Sequence, residues 1–182
     1  LEAVRSMMMG ADVLIIDPEN EYQKLSDAVG GSYIRLSLNS DVRVNPFDLP
    51  HVIDTEEADD ALRANLVTLH GLLRLMLGGA TLQASGATNI AAMTPAEEAD
   101  LDQALIDTYA RAGITSDPLT HTSLPPTMVD LYDTLVHMEG SGPALAQRLR
   151  KYTSGTFAGI FSQQSNIDIN NQMVVFNIRD LE

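Results

Sequence analysis

The spacing of hydrophobic positions changes twice along the chain, and each change predicts a change of secondary structure. Residues 13–16 form a short apolar run that stops at Asp17 and Pro18, a pattern typical of a buried strand in a parallel sheet. Residues 19–29 have the apolar spacing of an amphipathic helix, and residues 32–36 alternate as a strand does. Strand, helix and strand in this order predict a βαβ unit.

The middle of the chain, residues 50–152, has helical spacing instead. Asp54, Thr94 and Thr127 are residue types that cap helix N-termini, and each precedes a periodic apolar stripe. A further helix opens at Pro143, because proline is favoured at the first helical position. We therefore expect an all-helical lobe of about four helices.

Strand character returns at residues 173–178, MVVFNI. The fold class we predict is α/β, with an all-helical insertion lobe in a larger α/β domain. Residues 1–49 and 153–182 would form the α/β core, and residues 50–152 the lobe. At the start of the chain a short helix is expected to pack the methionines at 7–9 into the core.

Charge is concentrated in the lobe. The formal net charge is −14, and residues 50–142 alone hold fourteen acidic and three basic residues. Such a surface repels a phosphate backbone, so we expect no direct nucleic-acid binding by the lobe. It is either an ordinary solvated helical surface or a face that docks a basic partner protein.

The composition also excludes several kinds of site and of segment. No cysteine is present, so disulfides, thiolate catalysis and cysteine-ligated metals are excluded. No apolar run approaches the roughly 20 residues of a membrane span. The chain opens with Leu1 and Glu2 and ends directly after a strand-like run, so we expect a piece of something longer.

The clearest candidate chemistry is the acidic segment at the end of the first strand, which holds Asp17, Glu19 and Glu21. Ligands of open α/β sheets bind at the carboxyl ends of strands, where carboxylates can hold a metal, orient water or act as a general base. The alternative is that the two glutamates only complement the dipole of the following helix. No GxxxxGK[ST] motif occurs, and the four histidines lack paired ligand spacing, so no zinc-type metal site is predicted.

Two segments of the sequence, here called phrases, resemble one family of proteins. The sequence VLIIDPENEYQKLSDAVGGSYIRLS, followed by VNPFDL, is similar to the ATPases of type IV secretion and conjugation, the VirB/TraC-type members of the HerA/FtsK superfamily of RecA-like motors. The later phrase GTFAGIFSQQSNIDINNQMVVFNIRDLE is similar to the segment after the helical insertion of that family. The two phrases occur in the family's order around the lobe.

The resemblance implies that the α/β core is a partial RecA-like sheet of the P-loop NTPase kind. It implies that this chain is the stretch between the Walker A and Walker B motifs and contains neither. It implies that Asp17 and Glu21 match the family's strand-end motif Asp-Pro-x-x-Glu-Tyr, with auxiliary catalytic roles near the nucleotide. ATP and Mg²⁺ are then cofactors of the intact parent protein, and none is expected for this chain alone. We therefore expect that the isolated chain neither binds ATP tightly nor hydrolyses it.

The resemblance also implies partners, namely other subunits of the same ATPase and proteins of the secretion apparatus. Arg148, Arg150 and Arg179 are candidate contacts across a subunit interface. A bacterial location in the cytoplasm, at the inner face of the cell membrane, follows for the parent, with membrane contact only through partners. Two alternatives remain: a fragment of a related DNA-pumping ATPase, or a helical module that serves protein interaction.

Overall fold

The computed structural model describes residues 2–49, 55–82, 88–91, 93–167 and 171–180. In chain order the α-helices and strands are α1 (Glu2–Met8), β1 (Val13–Asp17), α2 (Gln23–Val29), β2 (Ser32–Ser37), α3 (Thr55–Leu77), β3 (Gly79–Leu82), β4 (Thr88–Ala91), α4 (Pro95–Arg111), α5 (Met128–His137), α6 (Gly142–Thr153), α7 (Ala158–Phe161) and β5 (Met173–Asp180). A 3₁₀ turn, Pro118–Thr122, precedes α5. No described helix has the length and apolar character needed to cross a membrane.

The α/β part is a parallel sheet of three described strands in the order β1-β5-β2. The predicted strand–helix–strand unit forms, but its two strands are not neighbours. Strand β5, which follows the helical lobe in sequence, pairs with both of them. The sheet is therefore completed only after the chain has passed through the lobe.

Two expectations about burial at the start of the chain are wrong. Met8 and Met9 are 84% and 86% exposed, and α1 has no buried residue. Strand β1 forms as predicted, but Leu14 and Ile16, which project from the same face of it, are exposed. Only the opposite face of β1 is covered.

The four predicted helices of the lobe are present as α3, α4, α5 and α6. Thr94 and Thr127 cap α4 and α5 as predicted, each in a capping box. Asp54 lies outside the described residues, so its capping role stays a prediction. The short antiparallel pair β3–β4 was not predicted, because residues 79–93 are small and weakly apolar.

The loop at residues 45–49, NPFDL, joins the sheet to the lobe. Asn45 is buried, and its amide Nδ2 donates to Pro126 O at 2.9 Å and to Gln164 Oε1 at 3.3 Å. Phe47 is fully buried within the lobe's core, which otherwise consists of residues from α3 to α6 and their connections. A residue from the predicted α/β segment thus belongs to the core of the lobe. The domain limits at 49 and 152 stay a prediction.

Candidate functional site

Three polar side chains lie in a row across the carboxyl edge of the sheet. Parallel pairing places Asp17 of β1 beside Asn177 of β5, and Asn177 beside Arg35 of β2. Paired residues of adjacent strands point to the same face of a sheet, so the row forms one polar band. This edge is where open α/β sheets bind ligands.

The Asp17 carboxylate organises the loop that follows β1. Its Oδ1 accepts the backbone N–H of Glu21 at 3.1 Å, and its Oδ2 accepts that of Tyr22 at 2.9 Å. The side chain is only 1% exposed. Burial raises the pKa of Asp17, but the backbone N–H donors of the loop together outweigh it, and the pKa lies below its ordinary value. Asp17 is therefore a buried, ionised acceptor for backbone amides.

The loop delays the start of helix α2. A helix from residue 19 was expected, yet α2 begins at Gln23, because Asp17 binds the amides of Glu21 and Tyr22 and Asn20 adopts a φ of +62°. Glu19 and Glu21 therefore lie in the loop and not in the first helical turn. The first turn of α2, where the helix-dipole alternative placed the two glutamates, holds no acidic residue. The Glu21 side chain is exposed at the sheet edge.

Sequence reasoning missed a second set of residues around this loop. The Tyr33 hydroxyl of β2 donates to Asn20 Oδ1, and it accepts Asn177 Nδ2–H at 2.6 Å. Asn177 was visible as a lone amide within the apolar run MVVFNI, an unusual position for a polar side chain in a buried strand. Tyr33 gave no comparable signal, because tyrosine is an ordinary strand residue.

The residues described here do not by themselves fit a magnesium–nucleotide site. Both oxygens of Asp17 already accept backbone N–H groups, and the described part of the chain contains no group of three or more acidic or histidine side chains placed to hold a metal. An open groove of about 950 Å³ runs along β2 and is lined in part by Tyr33, Arg35 and Asp180, but Asp17 does not line it. The carboxylates of Glu19 and Glu21 belong to the loop and both residues are exposed.

The three candidate interface arginines differ in their surroundings. Arg148 forms an ion pair with Glu97 and donates to Leu77 O at 3.2 Å, so its guanidinium ties α6 to α3 and α4. Arg150 and Arg179 are exposed. Arg150 and Arg179 are therefore accessible to another subunit, whereas the guanidinium of Arg148 is bound within the lobe.

A parallel sheet with a polar carboxyl edge, interrupted in sequence by a helical lobe, is consistent with a partial RecA-like fold, the class predicted from the sequence. No protein-family model matches the chain, and no curated protein sequence matches it. Among solved structures, VirB4 of Thermoanaerobacter pseudethanolicus matches 98% of this chain, with a TM-score of 0.72 and 25% sequence identity. The chain spans 45% of that VirB4. It is therefore related to the type IV secretion ATPases, as its two motifs predicted.

We expect Asp17→Asn to lower the free energy of unfolding by about 1–3 kcal/mol at neutral pH, since the amide presents a donor where a buried backbone N–H needs an acceptor. The folded pKa of Asp17 is depressed, so its ionisation stabilises the fold above the unfolded pKa of about 3.9, and this is lost as pH falls through the folded pKa. Urea unfolding of both proteins from neutral to acid pH should show the difference shrinking below about pH 4.

The control is Asp102→Asn, since Asp102 is exposed on α4 and its replacement should change stability by less than about 0.5 kcal/mol. A difference between Asp17→Asn and the original protein that stays constant with pH would contradict the role given to the ionised carboxylate.

Proposed function

We propose that this chain is part of the motor domain of a type IV secretion or conjugative transfer ATPase, which couples ATP hydrolysis to assembly of the apparatus or to substrate transfer. One observation carries the proposal: the likeness to VirB4 runs through 98% of the chain and includes both the sheet and the lobe. The loop motif that resembles the family lies at the carboxyl edge of the parallel sheet, where nucleotides bind in α/β folds.

In this proposal the chain supplies one wall of the nucleotide site. The cradling backbone amides and the lysine of a phosphate-binding loop come from outside it, since no GxxxxGK[ST] occurs in the sequence. Bound Mg²⁺ would neutralise charge on the phosphates. Asp17 fixes the loop through the amides of Glu21 and Tyr22, and Glu21 presents a carboxylate at the edge to orient water.

The proposed partners are further subunits of the same ATPase and proteins of the secretion apparatus, with the whole acting in the bacterial cytoplasm at the inner face of the membrane. Arg150 and Arg179 are exposed and free in position to contact a neighbouring subunit. The acidic lobe, with fourteen acidic against three basic residues at 50–142, favours protein partners over nucleic acid.

A second candidate function is supported by exposed apolar side chains on the lobe. Val67 and Leu75 of α3 are 71% and 70% exposed, and Leu119 and Leu124, between α4 and α5, are 80% and 72% exposed. Large exposed apolar side chains are a feature of protein-interaction surfaces. A helical interaction module therefore stays an alternative, and it requires no role for the strand-end carboxylates.

Phosphate release from MgATP distinguishes the two functions. We expect the full-length protein that contains this segment to hydrolyse ATP, and the 182-residue chain to show neither turnover nor micromolar ATP binding by calorimetry. Turnover or micromolar binding by the 182-residue chain would contradict the proposal that it lacks the phosphate-binding half of the site. No turnover by the full-length protein would favour the interaction module.

A further inference from the structure

A chain of hydrogen bonds runs across the carboxyl edge of the sheet and ends in the acidic loop. Asn177 Nδ2–H donates to the Tyr33 hydroxyl at 2.6 Å, and the Tyr33 O–H donates to Asn20 Oδ1. The Tyr33 hydroxyl can form both bonds at once, since its one proton is donated and its lone pairs accept an N–H. Hydrogen bonds arranged in this way polarise and strengthen one another. The two bonds join β5, β2 and the loop after β1.

Asn20 has the least favourable backbone conformation in the loop. Its φ of +62° lies in the left-handed region, which is disfavoured for residues other than glycine and is tolerated best by asparagine and aspartate. It directly precedes Glu21, so the conformation of Asn20 sets the direction in which the Glu21 backbone leaves the loop. The loop is thus fixed from one side by the Asp17 carboxylate and from the other by the Tyr33 hydroxyl.

The other end of the chain of bonds is fixed as well. Asn177 is 2% exposed, and its Oδ1 accepts the backbone N–H of Arg179 at 3.2 Å, so its side chain cannot rotate without leaving a buried polar atom unpaired. The position of the Tyr33 hydroxyl is therefore determined by β5, the strand between β1 and β2. Movement of β5 would be passed to the loop through Tyr33.

We propose that Tyr33 is a positioning residue for Glu21: through Asn20 its hydroxyl fixes the loop that presents the Glu21 carboxylate, and through Asn177 it makes that presentation depend on β5. This inference rests on the proposed function, since it assigns Tyr33 to the same nucleotide-facing edge. Tyr33 does not act on the nucleotide itself. It acts through the geometry of the loop.

The first test measures the loop directly. In the 182-residue chain, Tyr33→Phe keeps the ring and removes the hydroxyl, so hydrogen exchange of the Glu21 and Tyr22 amides followed by NMR should accelerate by about tenfold or more, with the amides of α4 to α6 unchanged. Tyr132→Phe, on α5 and packed against the core of the lobe, is the matched control and should leave the loop amides unchanged. Unchanged exchange at Glu21 and Tyr22 in Tyr33→Phe would overturn the proposal.

The second test separates positioning from folding. In the full-length protein, Tyr33→Phe should lower kcat for ATP hydrolysis roughly tenfold and leave KM unchanged, because misplacement of one group affects the reaction more than binding. Asn177→Leu should do the same, and the double variant should lose no more than the larger single loss, since both changes cut one chain of bonds.

The outcomes are distinguishable. Active full-length protein with an unchanged kcat in Tyr33→Phe, or additive losses in the double variant, would overturn the role of Tyr33 and leave the proposed function standing. A full-length protein without any ATPase activity would overturn the proposed function and this role with it. If kcat falls and KM rises by equal factors in Tyr33→Phe, Tyr33 contributes to binding or folding. That result would also overturn its positioning role.

Discussion

Phe47→Ala is expected to lower the free energy of unfolding by about 3–5 kcal/mol, the cost of removing a fully buried aromatic side chain and leaving a cavity. The Phe47 side chain is 0% exposed and lies in the core of the helical lobe, although it comes from the loop that leaves the sheet. Its loss should therefore weaken the lobe and the connection between the lobe and the sheet together.

The contacts around Phe47 explain why the site cannot collapse to fill the space. Its ring packs on Tyr109 of α4, with ring centroids 5.6 Å apart. The Tyr109 hydroxyl donates to Phe47 O at 2.8 Å and accepts Asn65 Nδ2–H at 2.7 Å. Because these bonds hold α3, α4 and the loop in fixed positions, relaxation into the cavity would break them.

Urea unfolding followed by circular dichroism gives the measurement, with Leu119→Ala as the control. Leu119 is 80% exposed, so its replacement should change the free energy of unfolding by less than about 0.5 kcal/mol. A loss below about 1 kcal/mol for Phe47→Ala would contradict the burial of Phe47 in the lobe's core.

Glu21→Gln in the full-length protein is expected to have the largest effect on activity, a fall in kcat of roughly a hundredfold. In the proposed function the exposed carboxylate of Glu21 orients water at the carboxyl edge of the sheet, and glutamine cannot take up a proton as a carboxylate does. Asp17 is not interchangeable with it, because its two oxygens are taken by the amides of Glu21 and Tyr22. Asp17→Asn should therefore act chiefly on stability.

Features set by local sequence were predictable. Thr94 accepts the N–H of Glu97 while Glu97 Oε2 accepts the N–H of Thr94, so the start of α4 is encoded in four successive residues. The same holds for Thr127 and Asp130 at the start of α5. The position of Asp17 at the end of β1 also followed from the apolar run and the proline after it.

Features set by contacts between distant residues were not predictable. The place of β5 between β1 and β2 depends on pairing across more than a hundred residues, and no local pattern encodes it. Helix α2 starts late because the Asp17 carboxylate accepts the N–H groups of Glu21 and Tyr22. The bond from Tyr33 to Asn20 follows from both, because it exists only once β2 and the loop are placed by the sheet.

We propose that this chain forms one wall of the nucleotide site of a type IV secretion ATPase, with Glu21 at its edge. The most direct test compares kcat for ATP hydrolysis with the Kd for MgATP in the full-length protein and its Glu21→Gln variant. We expect the variant to have a kcat lower by roughly a hundredfold and a Kd changed by less than about threefold. An unchanged kcat, or an equal loss of turnover and affinity, would contradict it.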